Sequence, residues 1–198
     1  MTTISAIPEY DIASDASRLA SALRRAVVEI RSPAGGGAGI VWGGAGLVVT
    51  NAHCVRKSAS LTIEVNRETH SAELIACARD HDLALIHAPS VSGPFLELRD
   101  ADTLRPGELV FAYGHPLGVS HALAMGALHG VVRDKRTGDP RFITADIRLA
   151  PGNSGGPLVD AEGKLVGVNS MIVGGLGVAI PAGVVQGFVT RATSVRAA

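Results

Sequence analysis

The chain has 198 residues, of which 46% are hydrophobic and 18% are charged, a balance typical of a folded protein and not of a disordered one. Its 18 lysines and arginines equal its 18 acidic residues, which excludes the basic footprint expected of a nucleic-acid or anionic-membrane partner. The two cysteines, Cys54 and Cys77, are too few for the disulfide framework on which small secreted domains depend.

The predicted elements begin with a helix and continue with short strands. The helix starts at Asp15, a candidate N-cap, because Leu19, Leu23 and Val27 recur at every fourth residue. Six runs rich in Val, Leu and Ile follow, at residues 27–31, 39–42, 47–50, 61–65, 73–76 and 83–87. After the polar stretch 99–107, six more runs occupy residues 109–113, 122–132, 142–145, 157–159, 165–170 and 177–180.

Two groups of six short strands, with no helical repeat between them, predict an all-β protein of two six-stranded antiparallel β-barrels with a short N-terminal helix. Periodicity alone is also compatible with a β-sandwich, and the motifs described below favour the barrels. The predicted units are an N-terminal segment with the helix, a first barrel, a linker, a second barrel and a C-terminal tail, at residues 1–26, 27–98, 99–107, 108–190 and 191–198. A cleft between the two barrels follows from this arrangement.

The strongest chemical signal is the run GNSGGPL at residues 152–158. A serine hydroxyl is a weak nucleophile at neutral pH, so it needs a base for its proton and donors for the charge that forms on the substrate oxygen. Glycine before and after the serine allows a tight turn that directs backbone N–H groups to one point. The sequence therefore predicts Ser154 as nucleophile and an oxyanion hole formed by the backbone N–H groups of Gly152, Asn153 and Ser154.

A candidate base follows the apolar run 47–50, in the sequence TNAHCV. Histidine accepts and returns a proton near neutrality, because its ordinary pKa is about 6.5. The end of a strand would hold the ring of His53 firmly, so we predict His53 as the general base. The other histidines lack such neighbours and are predicted to be ordinary surface or core residues: His70, His81, His87, His115, His121 and His129.

An acidic partner for this base is expected, because a carboxylate on the other ring nitrogen fixes the tautomer and stabilises the imidazolium. Two aspartates compete in the run RDHDLALI at residues 79–86. Asp82 is preferred because it directly precedes the apolar residues of a predicted strand. Asp80 is the alternative, and its other interpretation is a solvated acid in a turn.

The order His53, Asp82 and Ser154, with these flanking sequences, resembles the trypsin-like serine proteases, and further motifs are similar to the HtrA (Deg) branch. These motifs are GIV at 39–41, GLVVTNAH at 46–53, DLAL at 82–85, GHPLG at 114–118, residues 146–158, GVNS at 167–170 and VAIP at 178–181. The resemblance implies a trypsin-type double barrel and a serine endopeptidase that acts on a protein or peptide through an acyl-enzyme. It implies no cofactor and no metal ion.

The chain also departs from the HtrA pattern. HtrA enzymes usually carry PDZ domains after the protease, whereas residues 182–198 are too few for any further domain, so a stand-alone protease unit is expected. Homo-oligomerisation stays open. Cys54 stands where secreted relatives have a bridged cysteine, but the partner position near Ala38 holds no sulfur, so a buried free thiol is expected.

The resemblance also suggests where the side chain before the cut would bind. It places this pocket upstream of Ser154 and on the strand that follows, which gives the candidate lining residues Leu149, Val168, Asn169 and Ser170. Arg148 occupies the position where trypsin has an aspartate; it either repels basic side chains or points into solvent, and the second interpretation is favoured. We predict cleavage after small or medium aliphatic residues.

Other classes of function are compared with this one. A catalytically silent or switchable protease-fold binding module is the main alternative, and a metal-dependent hydrolase is disfavoured because the histidines form no HExxH motif or Cys/His cluster. The chain begins with no basic and apolar leader, and no stretch approaches the about 20 apolar residues of a membrane span. We therefore expect a cytoplasmic location, or a periplasmic or secreted one if a leader has been removed.

Overall fold

Two closed antiparallel β-barrels of six strands each form the protein, as predicted. The computed structural model describes residues 12–32, 35–44, 46–55, 61–65 and 67–194. The first barrel consists of β1 (Val27–Ser32), β2 (Gly35–Val41), β3 (Leu47–Thr50), β4 (Leu61–Val65), β5 (Glu68–Ala78) and β6 (Leu83–His87). Its strands follow the order β1-β2-β3-β6-β5-β4 around the barrel.

The neighbours β3 and β6 explain how residues far apart in sequence meet in the first barrel. These strands are antiparallel, and Thr50, the last residue of β3, pairs with Ala84 near the start of β6. The residues just after β3 therefore lie beside those just before β6. His53 and Asp82 occupy these two positions.

The second barrel closes in the same manner. Its strands are β7 (Leu109–Gly114), β8 (Ala122–Arg133), β9 (Pro140–Asp146), β10 (Pro157–Asp160), β11 (Leu165–Val173) and β12 (Leu176–Pro181), in the order β10-β11-β12-β9-β8-β7. The hairpin partners β10 and β11 pair Pro157 with Val168. The turn that precedes β10, which carries Ser154, therefore lies next to the middle of β11.

Helix α1 (Ile12–Leu23) confirms the expected N-terminal helix but not its predicted boundaries. The helix begins before Asp15, which lies in the first turn and forms an ion pair with Arg18. Asp15 is therefore not the N-cap, and Val27 is the first residue of β1, where the predicted strand run 27–31 also begins. Residues 1–11 of the predicted N-terminal segment and 195–198 of the predicted tail lie outside the described residues.

Helix α2 (Ala182–Ser194) was not predicted, and it runs through the predicted boundary at residue 190. Its sequence is rich in Val and Gly, residues of low helix propensity, so propensity alone argues against a helix here. Its apolar residues Val185, Phe188 and Val189 recur at helical spacing and are buried. Tertiary packing of this face therefore outweighs local propensity.

A shared apolar core joins the two barrels and helix α2. Ile40, Val49 and Leu85 of the first barrel belong to one buried cluster with Val168 and Ile180 of the second, and the buried face of α2 belongs to the same cluster. Burial of such side chains is the main favourable term in folding. This cluster fixes the barrels relative to one another. No helix in the described part of the chain is long and apolar enough to cross a membrane.

Candidate active site

His53 lies in a 3-10 turn, Ala52–Val55, directly after β3. Two hydrogen bonds to the carbonyl oxygen of Asp82 hold this turn in place: the amide Nδ2 of Asn51 donates at 3.0 Å and the backbone N–H of Ala52 at 3.1 Å. Asn51 is fully buried. The residues just before His53 are thus hydrogen-bonded to Asp82, the same residue that the His53 side chain contacts.

Asp82 accepts hydrogen bonds from three sources. Its carboxylate oxygens lie 2.8 and 3.0 Å from Nδ1 of His53, and the backbone N–H of His53 donates to Oδ1 at 3.1 Å. The hydroxyl of Ser170, from the second barrel, donates to Oδ2 at 2.7 Å. Asp80 is exposed, and no hydrogen bond within the described residues joins it to His53. The structure therefore brings Asp82, and not Asp80, to the histidine.

The electrostatics of this pair favour one tautomer of His53. Burial raises the pKa of Asp82, but the hydrogen bonds from His53 and Ser170 outweigh it and lower the pKa below its usual range. The hydrogen bond to Asp82 raises the pKa of His53, and burial opposes this rise. Because an ionised carboxylate can only accept, Nδ1 of His53 carries a proton. In the neutral ring Nε2 is then free to accept one.

Ser154 lies in a turn whose shape requires glycine at two positions. Gly152 has a φ of 108° and Gly155 a φ of 83°, values that side chains of L-residues rarely adopt. A Cβ at Gly155 would lie 2.1 Å from the carbonyl oxygen of Ala38, and a Cβ at Gly152 would lie 2.2 Å from that of His115. The glycines of the motif therefore permit both the turn and its close approach to neighbouring backbone.

Ser154 belongs to the second barrel but contacts the first. Its carbonyl oxygen accepts from the backbone N–H of Ala38 at 2.8 Å and lies 3.7 Å from Sγ of Cys54, the residue after His53. Its hydroxyl donates to the carbonyl oxygen of Ser170 at 3.2 Å, and in the described residues no hydrogen bond joins that hydroxyl to His53. Ser170 thus contacts Asp82 through its side chain and Ser154 through its backbone.

The three predicted oxyanion donors differ in their availability. The backbone N–H of Asn153 donates to the carbonyl oxygen of Ala150 at 2.9 Å and is therefore engaged in the turn. The N–H groups of Gly152 and Ser154 donate to no protein acceptor within the described residues. Two donors, separated by one residue, are thus left for a ligand at this turn.

Three of the four predicted pocket residues have side chains that are buried. The side chain of Val168 is fully buried in the core between the barrels, and that of Asn169 is buried with its Nδ2 donating to the carbonyl oxygen of Pro157 at 2.9 Å. The Ser170 hydroxyl is bonded to Asp82. Of the four predicted residues, Leu149 alone has a side chain that is partly exposed and free of such a contact. Arg148 is exposed, which agrees with its favoured interpretation.

Two structural roles were not visible in the sequence. Ser170 was assigned to the pocket, and its bond to Asp82 joins residues 88 positions apart, a separation that no local pattern reveals. Gly37 faces Cys54: a Cβ there would lie 2.6 Å from Sγ of Cys54. Cys54 is a buried free thiol, as expected, and Cys77 is an exposed one. Within the described ranges, no group of three His, Cys, Asp or Glu residues could hold a metal ion.

Comparison with known proteins gives consistent results. Residues 37–168 match the family model described as "Trypsin-like peptidase domain". Protease Do-like 1, chloroplastic, from Arabidopsis thaliana is 35% identical over 80% of this chain and 39% of its own length. Serine protease HTRA1 from Xenopus laevis is 33% identical over 80% of this chain and 36% of its own length. The chain thus spans about two fifths of these relatives.

Two solved structures have the same fold. The HtrA-type protease AlgW with a decapeptide superimposes with a TM-score of 0.80 at 23% identity, covering 90% of this chain and 67% of that one. The inactive form of Rv3671c from M. tuberculosis gives a TM-score of 0.79 at 25% identity, covering 96% of this chain and 98% of that one. The observed double barrel is therefore the fold of these two proteins.

Proposed function

Because the chain belongs to the trypsin-like peptidase domain family and is similar to HtrA-type serine proteases, we propose that it is a serine endopeptidase whose catalytic residues are His53, Asp82 and Ser154. The observation that carries the proposal is the connection across the barrel interface. Asp82 bonds His53 and Ser170, and the Ser170 carbonyl holds the Ser154 hydroxyl. These contacts support the proposal, because they connect the proposed base, its acidic partner and the proposed nucleophile where the two barrels meet.

The first step of the proposed reaction forms an ester. The Ser154 hydroxyl leaves the Ser170 carbonyl by rotation about χ1 and donates to Nε2 of His53. As Oγ attacks the substrate carbonyl carbon, its proton passes to Nε2, and Asp82 stabilises the imidazolium that results. The N–H groups of Gly152 and Ser154 bind the oxyanion. The imidazolium then gives its proton to the leaving amine as the C–N bond breaks.

The second step releases the acyl group. A water molecule gives a proton to Nε2 of His53 and attacks the ester carbonyl carbon, and the same two N–H groups bind the second oxyanion. The tetrahedral intermediate collapses, the bond to Oγ breaks, and Ser154 takes back the proton from His53. Both intermediates use the same donors, so a loss of their geometry slows both steps.

Strand β11 offers an edge to which an extended peptide can bind. Its pairing with β10 ends at Val168, whereas its pairing with β12 continues to Val173. Beyond the turn contacts of Asn169, one side of residues 170–173 therefore pairs with no strand in the described part of the chain. Met171, Ile172 and Val173 are exposed. An unpaired strand edge recognises a peptide through backbone hydrogen bonds. This edge starts at Ser170, beside Ser154, which supports a peptide substrate.

The residue before the cut is proposed to be small or medium and aliphatic. Leu149 lies three residues before Gly152, and its side chain packs near Gly177, where a Cβ would lie 3.0 Å from its Cδ1. Arg148 is exposed and offers no carboxylate to a basic side chain. An aliphatic surface favours an aliphatic partner, because burial of apolar area drives such contacts.

Labelling with a fluorophosphonate probe at pH 8 tests the catalytic proposal. We expect one adduct per chain, located on Ser154 by peptide mass spectrometry, with no adduct in Ser154→Ala. Ser92→Ala, which removes an exposed serine, should label like the wild type. An unlabelled wild type would contradict catalysis by Ser154 and favour the binding-module alternative. Labelling retained in Ser154→Ala would contradict Ser154 as the nucleophile.

A peptide-library digest then tests specificity with the same pair of proteins. Wild type should cut after Val, Ala, Ile or Leu, and Ser154→Ala should leave the library intact. Faster cleavage after Arg or Lys would contradict the aliphatic pocket without affecting the catalytic proposal. Activity that survives a chelator argues against a metal-dependent hydrolase.

A further inference from the structure

A buried histidine lies directly behind the oxyanion turn. His115 opens the segment of residues 115–121, here called the histidine loop, which follows β7. The backbone N–H of His115 donates to the carbonyl oxygen of Gly152 at 3.0 Å, and that of Leu117 donates to the carbonyl oxygen of Pro151 at 3.0 Å. The histidine loop therefore holds Pro151 and Gly152, at the start of the turn whose proposed donors are the N–H groups of Gly152 and Ser154.

The ring of His115 is enclosed. Its side chain is 5% exposed, and its ring centroid lies 5.0 Å from that of His121. The backbone N–H of His121 donates to Nδ1 of His115 at 3.4 Å. Because this nitrogen accepts, it carries no proton, and the proton of the neutral ring is on Nε2. Nε2 is buried and has no hydrogen-bond partner among the described residues.

The bond to Nδ1 closes the loop on itself, and the loop contains unfavourable backbone. Leu117 has a φ of 52° and His121 a φ of 63°, both in the left-handed region that non-glycine residues avoid. The side chain of Leu117 is largely exposed and contributes little packing to hold its residue in place. Hydrogen bonds are thus the main restraints on this segment.

Charged and titratable groups face the two imidazoles from each neighbouring element. Glu29 and Arg31 of β1 face His115, with Oε2 of Glu29 3.9 Å from Nδ1, while Arg24 and Tyr113 face His121. Burial is the main cause that lowers the pKa of His115 to about 4; His121 and Arg31 add to it, and Glu29 opposes it. At neutral pH Nδ1 is therefore available as an acceptor.

We propose that His115 is a positioning residue, whose unprotonated Nδ1 accepts from the backbone of His121 and so holds the histidine loop against Gly152 in the geometry that the oxyanion donors need. This inference rests on the proposed function of the turn. A proton on Nδ1 would break the bond to His121 and direct Nδ1–H towards Glu29. The donors are then set correctly only while the ring is neutral.

Two substitutions separate the acceptor from the shape of the ring. In His115→Asn, Oδ1 can lie near the position of Nδ1 and accept from His121, but it takes no proton. His115→Phe keeps a planar ring and lacks any acceptor. We expect His115→Phe to lower kcat about tenfold with KM within about twofold of wild type, because the oxyanion forms only in the transition state. His115→Asn should keep kcat within about threefold.

The outcomes are distinguishable from failure of the proposed function. If wild type neither cuts peptides nor labels at Ser154, the proposed function fails, and with it this inference. If wild type is active and His115→Phe folds but keeps its kcat, or if His115→Asn is as slow as His115→Phe, His115 does not position the donors. Should His115→Phe fail to fold, His115→Met, which is flexible and also lacks the acceptor, takes its place.

Discussion

Ser170 offers a direct measure of how much the hydrogen bonds around Asp82 matter for the proposed reaction. Its hydroxyl donates to Oδ2 of Asp82 at 2.7 Å and is buried. Substitution of Ser170 by Ala removes this donor and leaves the backbone carbonyl that accepts from Ser154. Of the donors to Asp82 that the described residues supply, those of His53 then remain.

The expected loss follows from the charge on the acceptor. A hydrogen bond to a charged group contributes about 1.5–3 kcal/mol, and its removal raises the pKa of Asp82 and loosens its hold on His53. If that energy is expressed in the transition state, kcat/KM of Ser170→Ala falls about 10- to 100-fold. Because Asp82 acts on the imidazolium and not on bound substrate, we expect the loss in kcat.

Peptide hydrolysis at pH 8 under steady-state conditions gives both parameters. Thr144→Val is the matched control, because the Thr144 hydroxyl donates to a backbone carbonyl of the same barrel, that of Gly130, away from the site. It should lower stability and leave kcat/KM within about twofold of wild type. A kcat for Ser170→Ala equal to that of wild type, or a loss confined to KM, would refute this reasoning.

Three further predictions follow. Because the bond to Asp82 raises the pKa of His53, kcat/KM should rise with pH through a midpoint above 6.5. Asp82→Asn should lower this midpoint and reduce the limiting kcat/KM at high pH about 10⁴-fold, and an unchanged midpoint would argue against this pairing. Gly155→Ala should abolish soluble, folded protein, because its Cβ would overlap the Ala38 carbonyl. Gly138→Ala, at a position with a φ of 80° and open space around it, should lower the free energy of unfolding by about 1 kcal/mol. Equal urea midpoints for the two variants would show that the close approach of Gly155 to Ala38 does not matter. Because the pKa of His115 is lowered to about 4, the imidazole is protonated in the unfolded chain before it is protonated in the folded one as the pH falls. Protonation of this group should therefore lower the free energy of unfolding by about 2 kcal/mol between pH 8 and 5. In urea titrations His115→Asn should lose about 2 kcal/mol less than wild type over this pH range, and an equal loss in the two proteins would contradict the prediction.

Several strands of the first barrel, including those next to His53 and Asp82, were predictable because their sequences are locally consistent. The limits of β3, β4 and β6 were predicted to the residue, since each is a short run rich in Val, Leu and Ile that begins directly after a polar residue or a glycine. The turn around Ser154 was equally visible, because a position with positive φ usually requires glycine, and these glycines can be read from the sequence. Local signals of this kind do not depend on the rest of the chain.

The features that were missed depend on contacts between distant segments. Helix α2 forms because its apolar face completes the core between the barrels, although its Val and Gly content disfavours a helix. The side chain of Val168, which was predicted to line the pocket, lies in that core. The alternation of residues in β11 does not reveal which of its two faces packs against the other barrel. The side chain of Ser170 reaches Asp82 only because the barrels meet at this point.

A crystal structure of the protein inactivated with a valyl peptide phosphonate would test the central claim most directly. We predict a covalent bond between phosphorus and Oγ of Ser154, a phosphonyl oxygen at about 2.7–3.1 Å from the backbone nitrogens of Gly152 and Ser154, and the His53 ring still bonded to Asp82. An adduct on another residue, or a Ser154 adduct whose phosphonyl oxygen faces away from both nitrogens, would contradict it.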